Sequence, residues 1–490
     1  MVGAGTLGGL LRYARNDGSS GSGETLAMTT GCGLRRHDGI RDRCRLLQNL
    51  RQTVETPSHF CYTAHSLEAI CHYQIGNLFM RLTSFIKWKR QVATLLTALI
   101  VCTPGLANPI IPVPTQPQQP TFTPNAPNLE ATGYILMDST SGRILAEKNS
   151  QNRLPPASLT KLMSMYIISG ALKSGQIHMD DKVRISTKAW KTEGSRMFVK
   201  AGDEVPVREL VQGIIVDSGN DATVAMAEYV AGSEESFTAM MNQQAKLLGM
   251  NNSHFMDSTG LPHPDHYSTA HDLAILTRAY IKEFPEDYSF YSEKWFTYGG
   301  IKQSNRNRLL WRYQYADGLK TGHTNEAGYC LVASAKKDGM RLISIVLGEP
   351  TDQARTEDSI RLLTYGFRFF ETHKLYSAAN PVVKARVWQG QHSETPLGVT
   401  EDFYVTVPSG QFKKIQAAVE LTTPLKAPLV KGQSYGKINI NLNNQVIATR
   451  PLIALSDNGK GGIFRRATDS VSYTIHKYLS KSDNDKVNTG

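Results

Sequence analysis

Leu154-Pro155-Pro156-Ala157-Ser158-Leu159-Thr160-Lys161 runs directly into the apolar stretch Leu162 to Ile168. The two prolines stop regular structure, and the residues after them start a helix. At i and i+3 on that helix, the Ser158 hydroxyl and the Lys161 amine lie side by side, as a nucleophile lies beside a base. A serine is unreactive at neutral pH until a neighbour takes its proton, and a lysine can do so only if burial or another cation lowers its pKa. The helix start also offers free N–H groups and the positive end of a dipole to developing negative charge. Ser-x-x-Lys alone is not selective: it recurs at Ser84 to Lys87, Ser334 to Lys337 and Ser434 to Lys437. The ordinary reading of such a tetrapeptide is an N-cap serine with a solvated lysine.

Working outward, Tyr134 to Met137 and Ile144 to Ala146 flank Asp138-Ser139-Thr140-Ser141-Gly142 and read as a hairpin. The Ser158 helix is expected to reach Leu172, and helical patterns continue through Val207 to Val216, Ala222 to Tyr229, Glu234 to Leu248 and Ala270 to Lys282. Strands return at Tyr329 to Ala333 and Met340 to Val346, joined by Lys336-Lys337-Asp338-Gly339, and an amphipathic helix of about Asp352 to Phe370 closes the unit. Strands at both ends of a helical middle predict one α+β domain, residues 129–374, whose first and last strands share a sheet. Beyond it, short alternating runs such as Phe403 to Val407 and Lys437 to Leu442 between Gly, Pro and Asn turns predict a small all-β domain, 375–456.

A tail, 457–490, follows. In it Ile463, Phe464, Ala467, Val471, Ile475, Tyr478 and Leu479 fall on one helical face bordered by Arg465, Arg466, Lys477 and Lys481. A basic amphipathic helix over 463–481 points to a membrane surface, the alternative being packing on the β domain. Upstream, Arg81, Lys87, Lys89 and Arg90 precede the apolar Val92 to Val101 and then Gly105-Leu106-Ala107. That is the pattern of a secretory signal peptide, 80–107, cleaved after Ala107; the apolar run is well short of the roughly 20 residues a span needs. Residues 1–79 make no sense as an exported domain and read as a non-native or disordered extension, with Met80 the natural start. Residues 108–128 are a Pro-rich linker.

The formal charge of +11 is uneven, with twelve Lys and Arg against six Asp and Glu before Asn108. The rest is mildly basic without a basic, aromatic-interleaved helix, so nucleic acid is excluded as a partner while an anionic membrane or wall surface is not. Cys61, His65, Cys71 and His72 lack paired C-x-x-C spacing, so no metal and no cofactor is expected; Cys330, alone in the body of the protein, has no internal disulfide partner.

Two further motifs follow Ser158 in the same domain: Asp217-Ser218-Gly219-Asn220-Asp221 between two helical patterns, and Lys320-Thr321-Gly322-His323-Thr324 entering the late strands. Ser-x-Asn recurs at Ser150, Ser456 and Ser482, whereas Lys-Thr-Gly occurs once. With this ordered trio, the chain resembles the low-molecular-mass penicillin-binding proteins of the D-alanyl-D-alanine carboxypeptidase type, in the penicilloyl-serine transferase superfamily. The resemblance runs from about Leu129 to the C-terminus and includes Asn305-Arg306-Asn307 and Leu363 to Phe370.

The resemblance implies a β-lactamase/transpeptidase-like catalytic domain, an antiparallel sheet with helices on both faces, followed by the small β domain and an amphipathic helix. It implies that Ser158 attacks the penultimate D-alanine carbonyl of a peptidoglycan stem peptide ending in D-Ala-D-Ala, with Lys161 taking its proton. Ser218 would pass a proton to the leaving amine, Asn220 orient the substrate amide and Lys161, and Lys320 lower the Lys161 pKa. The Ser158 and His323 N–H groups would form the oxyanion hole. Thr321 and Gly322 would give a hydroxyl and room, and Arg355 would hold the substrate carboxylate with its fork of donors. β-Lactam antibiotics would acylate Ser158. The location implied is the periplasmic face of the bacterial inner membrane, with a role in wall remodelling.

One departure is the short text Lys191 to Arg196 between Trp190 and Met197, which leaves the deacylation rate open. A class A-like β-lactamase would need a Glu-x-x-x-Asn segment after Asn220, and none is convincing. A D,D-endopeptidase uses the same motifs, and an idle wall-binding scaffold would have no need of the nucleophile.

Overall fold

The computed structural model describes residues 123–422 and 424–474. The expected extension, the signal peptide, the linker up to residue 122 and the tail beyond 474 lie outside the described residues. Five strands form the central sheet: β1 (Gly133–Asp138), β2 (Ile144–Lys148), β3 (Ala316–Thr324), β4 (Gly328–Lys337) and β5 (Met340–Glu349). Their order is β2-β1-β5-β4-β3, with every neighbouring pair antiparallel. The first strand therefore pairs with the last, as the order of elements predicts.

β1 reads as an unbroken apolar run because both of its faces are covered. Ile135 and Met137 join one hydrophobic core, Tyr134 and Leu136 the other. On the first side pack α1 (Lys161–Lys173), α2 (Asn220–Ala231), α3 (Glu234–Leu248) and α4 (Ala270–Glu283); on the second lies α5 (Asp352–Phe369), through Leu362 and Leu363. Helix α1 is apolar almost all round, and Leu162, Met163, Met165 and Ile168 are each at most 1% exposed, so it is the buried axis of its layer. Full burial of such side chains stabilises by about 1.5–3 kcal/mol apiece.

The second domain opens at Phe370. Phe370–Tyr376 pairs with Phe403–Pro408, so the boundary expected at residue 374 falls inside a strand. A six-stranded sheet follows, with Leu425–Lys426 at its edge as a parallel addition to Pro381–Trp388. Its end also lies beyond the expected residue 456: Asn458 bridges Leu429, and Lys460 bridges Gly390. The β1–β2 turn meets this domain where Thr372 Oγ1 donates to Asp138 at 2.9 Å and Ser141 Oγ lies 2.6 Å from Thr406 Oγ1.

Residues 463–474 are helical. The helix docks through its polar side: Asp469 accepts from Gln389 N at 2.7 Å, Ser470 from Gln389 Nε2 at 2.6 Å, and Tyr473 meets Trp388 edge-on at 5.4 Å. Ile463, Phe464 and Val471 are turned to solvent, with Phe464 90% exposed. Among the described residues no helix is long and apolar enough to cross a membrane.

Candidate active site

After Pro155-Pro156 the chain makes a tight 3-10 turn, Ala157–Thr160, before α1 begins at Lys161. The sequence pattern predicts Ser158 at the start of an α-helix; in the 3-10 turn residues three apart eclipse, so the hydroxyl and the amine still face each other. Ala157 is left-handed, φ +48, a conformation seldom adopted by a residue with a Cβ. Gly260 packs against it so closely that a Cβ there would lie 1.8 Å from the Ala157 carbonyl oxygen.

Lys161 is fully buried, with Nζ 3.0 Å from Ser158 Oγ, 2.6 Å from Asn220 Oδ1 and 2.7 Å from Thr259 O. The Asn220 amide is oriented by its Nδ2, which donates to Glu193 O at 2.5 Å. Asn220 Oδ1 and Thr259 O can only accept, so a neutral amine directs its two N–H groups to them and its lone pair to Ser158 Oγ. Burial pushes the Lys161 ammonium down to about 7, against the raising effect of Asp257 and Asp221. Free base and ammonium therefore coexist at neutral pH.

The second motif leads into α2. Ser218 is also left-handed, φ +58, and its Oγ accepts from Lys320 Nζ at 2.8 Å. Lys320 projects from β3, is buried, and also donates to Thr321 O at 3.1 Å. Burial, then the charges of Lys161, Arg355 and Arg306, hold its ammonium well below the usual lysine range. Gly322 brings β3 against the nucleophile turn: a Cβ there would stand 2.9 Å from Pro156 O and 3.2 Å from Leu159 N. The glycine thus makes room for the protein's own turn. Thr321 beside it is buried, and His323 is exposed and lies over the Tyr329 ring at 4.0 Å.

Arg355, on the first turns of α5, reaches the same strand. Its Nη1 donates to Gly322 O at 3.0 Å and Cys330 O at 3.2 Å, while Nη2 pairs with Asp352. The nine site residues named from the sequence are therefore linked in one assembly, with Arg355 tied to the backbone of the Lys-Thr-Gly strand.

Sequence reasoning missed the supports. Asp257 Oδ1 accepts from Thr259 N at 2.6 Å and Gly260 N at 2.7 Å, turning the Thr259 carbonyl toward Lys161. Its other oxygen lies 3.5 Å from His266, whose Nε2 meets Thr160 Oγ1 at 2.8 Å. Burial alone would raise the Asp257 carboxyl, but His266 and the Gly260 and Thr259 N–H groups hold it below the ordinary carboxylate range. Asp221 accepts from the N–H groups of Met197, Phe198 and Val199, closing the short loop beside the site. Asp217, 1% exposed, is pushed up to about 7, chiefly by burial; Asp221 adds to this while Arg306 and Lys320 oppose it. The Asp-Ser-Thr-Gly turn at 257–260 was the one local signal available for the first of these supports.

Residues 120–351 match the family model described as D-alanyl-D-alanine carboxypeptidase, and residues 370–460 that of the C-terminal domain of penicillin-binding protein 5. The chain is 47% identical over 365 residues to D-alanyl-D-alanine carboxypeptidase DacC of Escherichia coli (strain K12), covering 73% of this chain and 91% of that one. It is 43% identical over 367 residues to DacA of the same strain, with the same shares covered. Among solved structures, penicillin binding protein 5 from Haemophilus influenzae superposes with a TM-score of 0.67 at 43% identity, over 69% of this chain and 99% of that one. With the Ser158, Ser218 and Lys320 motifs brought together and both domains matched, the chain belongs to the D-alanyl-D-alanine carboxypeptidase family.

Proposed function

We propose that Ser158 is the nucleophile and Lys161 the base of a serine D-alanyl-D-alanine carboxypeptidase acting on peptidoglycan stem pentapeptides. The observation that carries this reading is the Lys161 environment: two acceptor-only partners at 2.6 and 2.7 Å, Ser158 Oγ at 3.0 Å, and an ammonium lowered to about 7. Ser158 Oγ forms a bond to the penultimate D-alanine carbonyl carbon as its proton passes to Lys161 Nζ. The oxyanion is held by the N–H groups of Ser158 and His323 on either side of the Gly322 contact. As the tetrahedral centre collapses, the peptide C–N bond breaks, and the proton that Lys161 took passes through Ser218, hydrogen-bonded to Lys320, to the departing D-alanine nitrogen, leaving Lys161 the free base. Water then adds to the ester carbonyl as its proton passes to Lys161, and Lys161 returns a proton to Ser158 Oγ as the acyl C–O bond breaks. Asn220 keeps one N–H for the substrate amide, Thr321 and Arg355 serve the terminal carboxylate, and Gly322 lets their strand close on the nucleophile turn. A β-lactam acylates the same hydroxyl by opening its ring.

Fluorescent penicillin and diacyl-D-Ala-D-Ala test this. A lasting adduct at Ser158 together with D-alanine release is expected. Rapid penicillin turnover would mark a β-lactamase, and absence of an adduct an idle scaffold.

The membrane is the second element of the reading. The solvent-facing Ile463, Phe464 and Val471, on a helix anchored by its polar side, suit burial among lipid headgroups at the periplasmic face of the inner membrane. Truncation after Gly462, which keeps Asn458 and its bonds, should move the protein to the soluble fraction; unchanged membrane partition would refute the anchor.

A further inference from the structure

Next to the active site, Trp295–Tyr298 and Ile301–Ser304 form an antiparallel hairpin. Its inner face carries Phe296, which is buried, and Gln303, whose Nε2 donates to Arg196 O at 2.9 Å in the loop beside the site. The outer face carries Trp295, Thr297 and Lys302, all exposed. Trp311, from the turn Leu309–Arg312, stands edge-on to Trp295 at 5.9 Å and 78°. Trp295 is 53% and Trp311 43% exposed. Lys302 Nζ lies 5.1 Å from the Trp295 ring centre and Lys294 Nζ 5.8 Å from that of Trp311. A lone exposed apolar residue needs no explanation, but two adjoining indoles make a patch of the kind that marks a binding surface.

The hairpin leads into the catalytic centre. Asn305 N donates to Lys294 O at 2.9 Å, and the next residue, Arg306, bears electrostatically on Asp217 and Lys320. We propose that Trp295, Trp311, Lys294 and Lys302 form a saccharide subsite for the glycan strand that carries the stem peptide. An indole takes the C–H face of a pyranose ring, and the ammonium groups beside the two rings donate to the sugar's hydroxyl and amide oxygens. An apolar protein partner or lipid tails fit less well, because covering the patch would strip water from two lysines. A glycan leaves them hydrated.

This inference rests on the carboxypeptidase reading, and the test separates the two. kcat/KM is measured for a disaccharide-linked pentapeptide and for the same pentapeptide without sugar. Disaccharide binding is followed in parallel by tryptophan fluorescence. In Trp295→Ala/Trp311→Ala the ratio of glycan-bearing to sugar-free kcat/KM should fall about tenfold through KM, the scale of a lost aromatic contact. The exposed Lys294→Gln/Lys302→Gln pair, which leaves both rings in place, should lower the ratio a few-fold. An unchanged ratio in both double variants overturns the subsite, as does vesicle binding lost in the tryptophan variant without a change in that ratio. If the wild type cleaves neither pentapeptide, the carboxypeptidase reading fails, and the fluorescence titration still decides the subsite.

Discussion

The two domains treat charge in opposite ways. In the catalytic domain Lys161, Asp217, Asp221, Lys320, Glu349, Arg355 and Asp358 are all buried. From Phe370 onward, the buried polar side chains among the described residues are neutral: Thr395, Thr406, Gln411, Asn439 and Asn458. Ion pairs there, such as Lys374 with Asp402 and Lys437 with Glu420, sit at the surface, where they contribute little. Taking an ion out of water costs several kcal/mol, so a domain retains many of them only where the lowered dielectric serves a reaction or where partners compensate in full. One domain is built to perturb pKa values, the other to hold its shape on an apolar core and amide hydrogen bonds.

The sharpest test removes the hydroxyl beside the buried Lys161. Ser158→Ala should lower D-alanine release by at least about a thousandfold and abolish the covalent penicillin adduct seen by mass spectrometry. An adduct that persists elsewhere would break the assignment of chemistry to this cluster. Next in size is Arg355→Ala. Loss of a buried, charge-assisted donor set should cost about 2–3 kcal/mol, roughly 30- to 100-fold in kcat/KM, on substrates with a free C-terminal carboxylate. Arg355→Lys should rescue poorly because it lacks the planar fork. An equal loss on a C-terminally amidated substrate would mean that Arg355 merely shapes the strand through Gly322 O.

Acidity separates the domains more gently. In the proposed mechanism Lys161 accepts the Ser158 proton only as the free base, and its ammonium is lowered to about 7. The penicillin acylation rate should therefore drop about tenfold per pH unit below about 7 and level off above it. Asp217 gives a smaller effect, in stability. With its carboxyl raised from 3.8 to about 7, the folded protein keeps between those values a proton that the unfolded chain has released. Asp217 thus makes stability fall as pH rises from about 4 to about 7. Asp217→Asn should flatten that part of the melting-temperature profile; an unchanged slope would place the titration elsewhere.

Legibility followed the same division. That Ser158, Lys161, Ser218, Asn220 and Lys320 lie together could be read because they stand in motifs defined by side-chain type and spacing. Thr259 could not, since what it offers Lys161 is a backbone carbonyl 98 residues away, which leaves no mark on residue identity. Asp217 stood inside a recognised motif, yet its behaviour comes from burial, which spacing does not reveal. In the fold, β1 and the late strands announced themselves as apolar runs covered on both sides. The order of the six-stranded sheet was hidden, because its parallel edge strand is only Leu425–Lys426 and has no period to detect. The tail's apolar face was legible, whereas its docking through Asp469 and Ser470 depends on where Gln389 lies.

The least effect on catalysis, and the clearest test of the division, is expected at Asn458. This side chain is 1% exposed; its Nδ2 donates to His392 O and Thr395 Oγ1, each at 2.9 Å, and its Oδ1 accepts from His392 N at 3.1 Å. Asn458→Ala leaves those groups without these bonds and should cost about 2–3 kcal/mol of β-domain stability. Thermal or urea unfolding followed by Trp388 fluorescence would register it. Release of D-alanine from a soluble dipeptide should stay within about twofold of wild type, because no bond of Asn458 reaches the sheet that carries Lys320. A fall in turnover matching the loss of stability would show that the β domain holds the active site in shape. Unchanged turnover would leave it the task of carrying the helix at 463–474, whose apolar side needs a surface to meet.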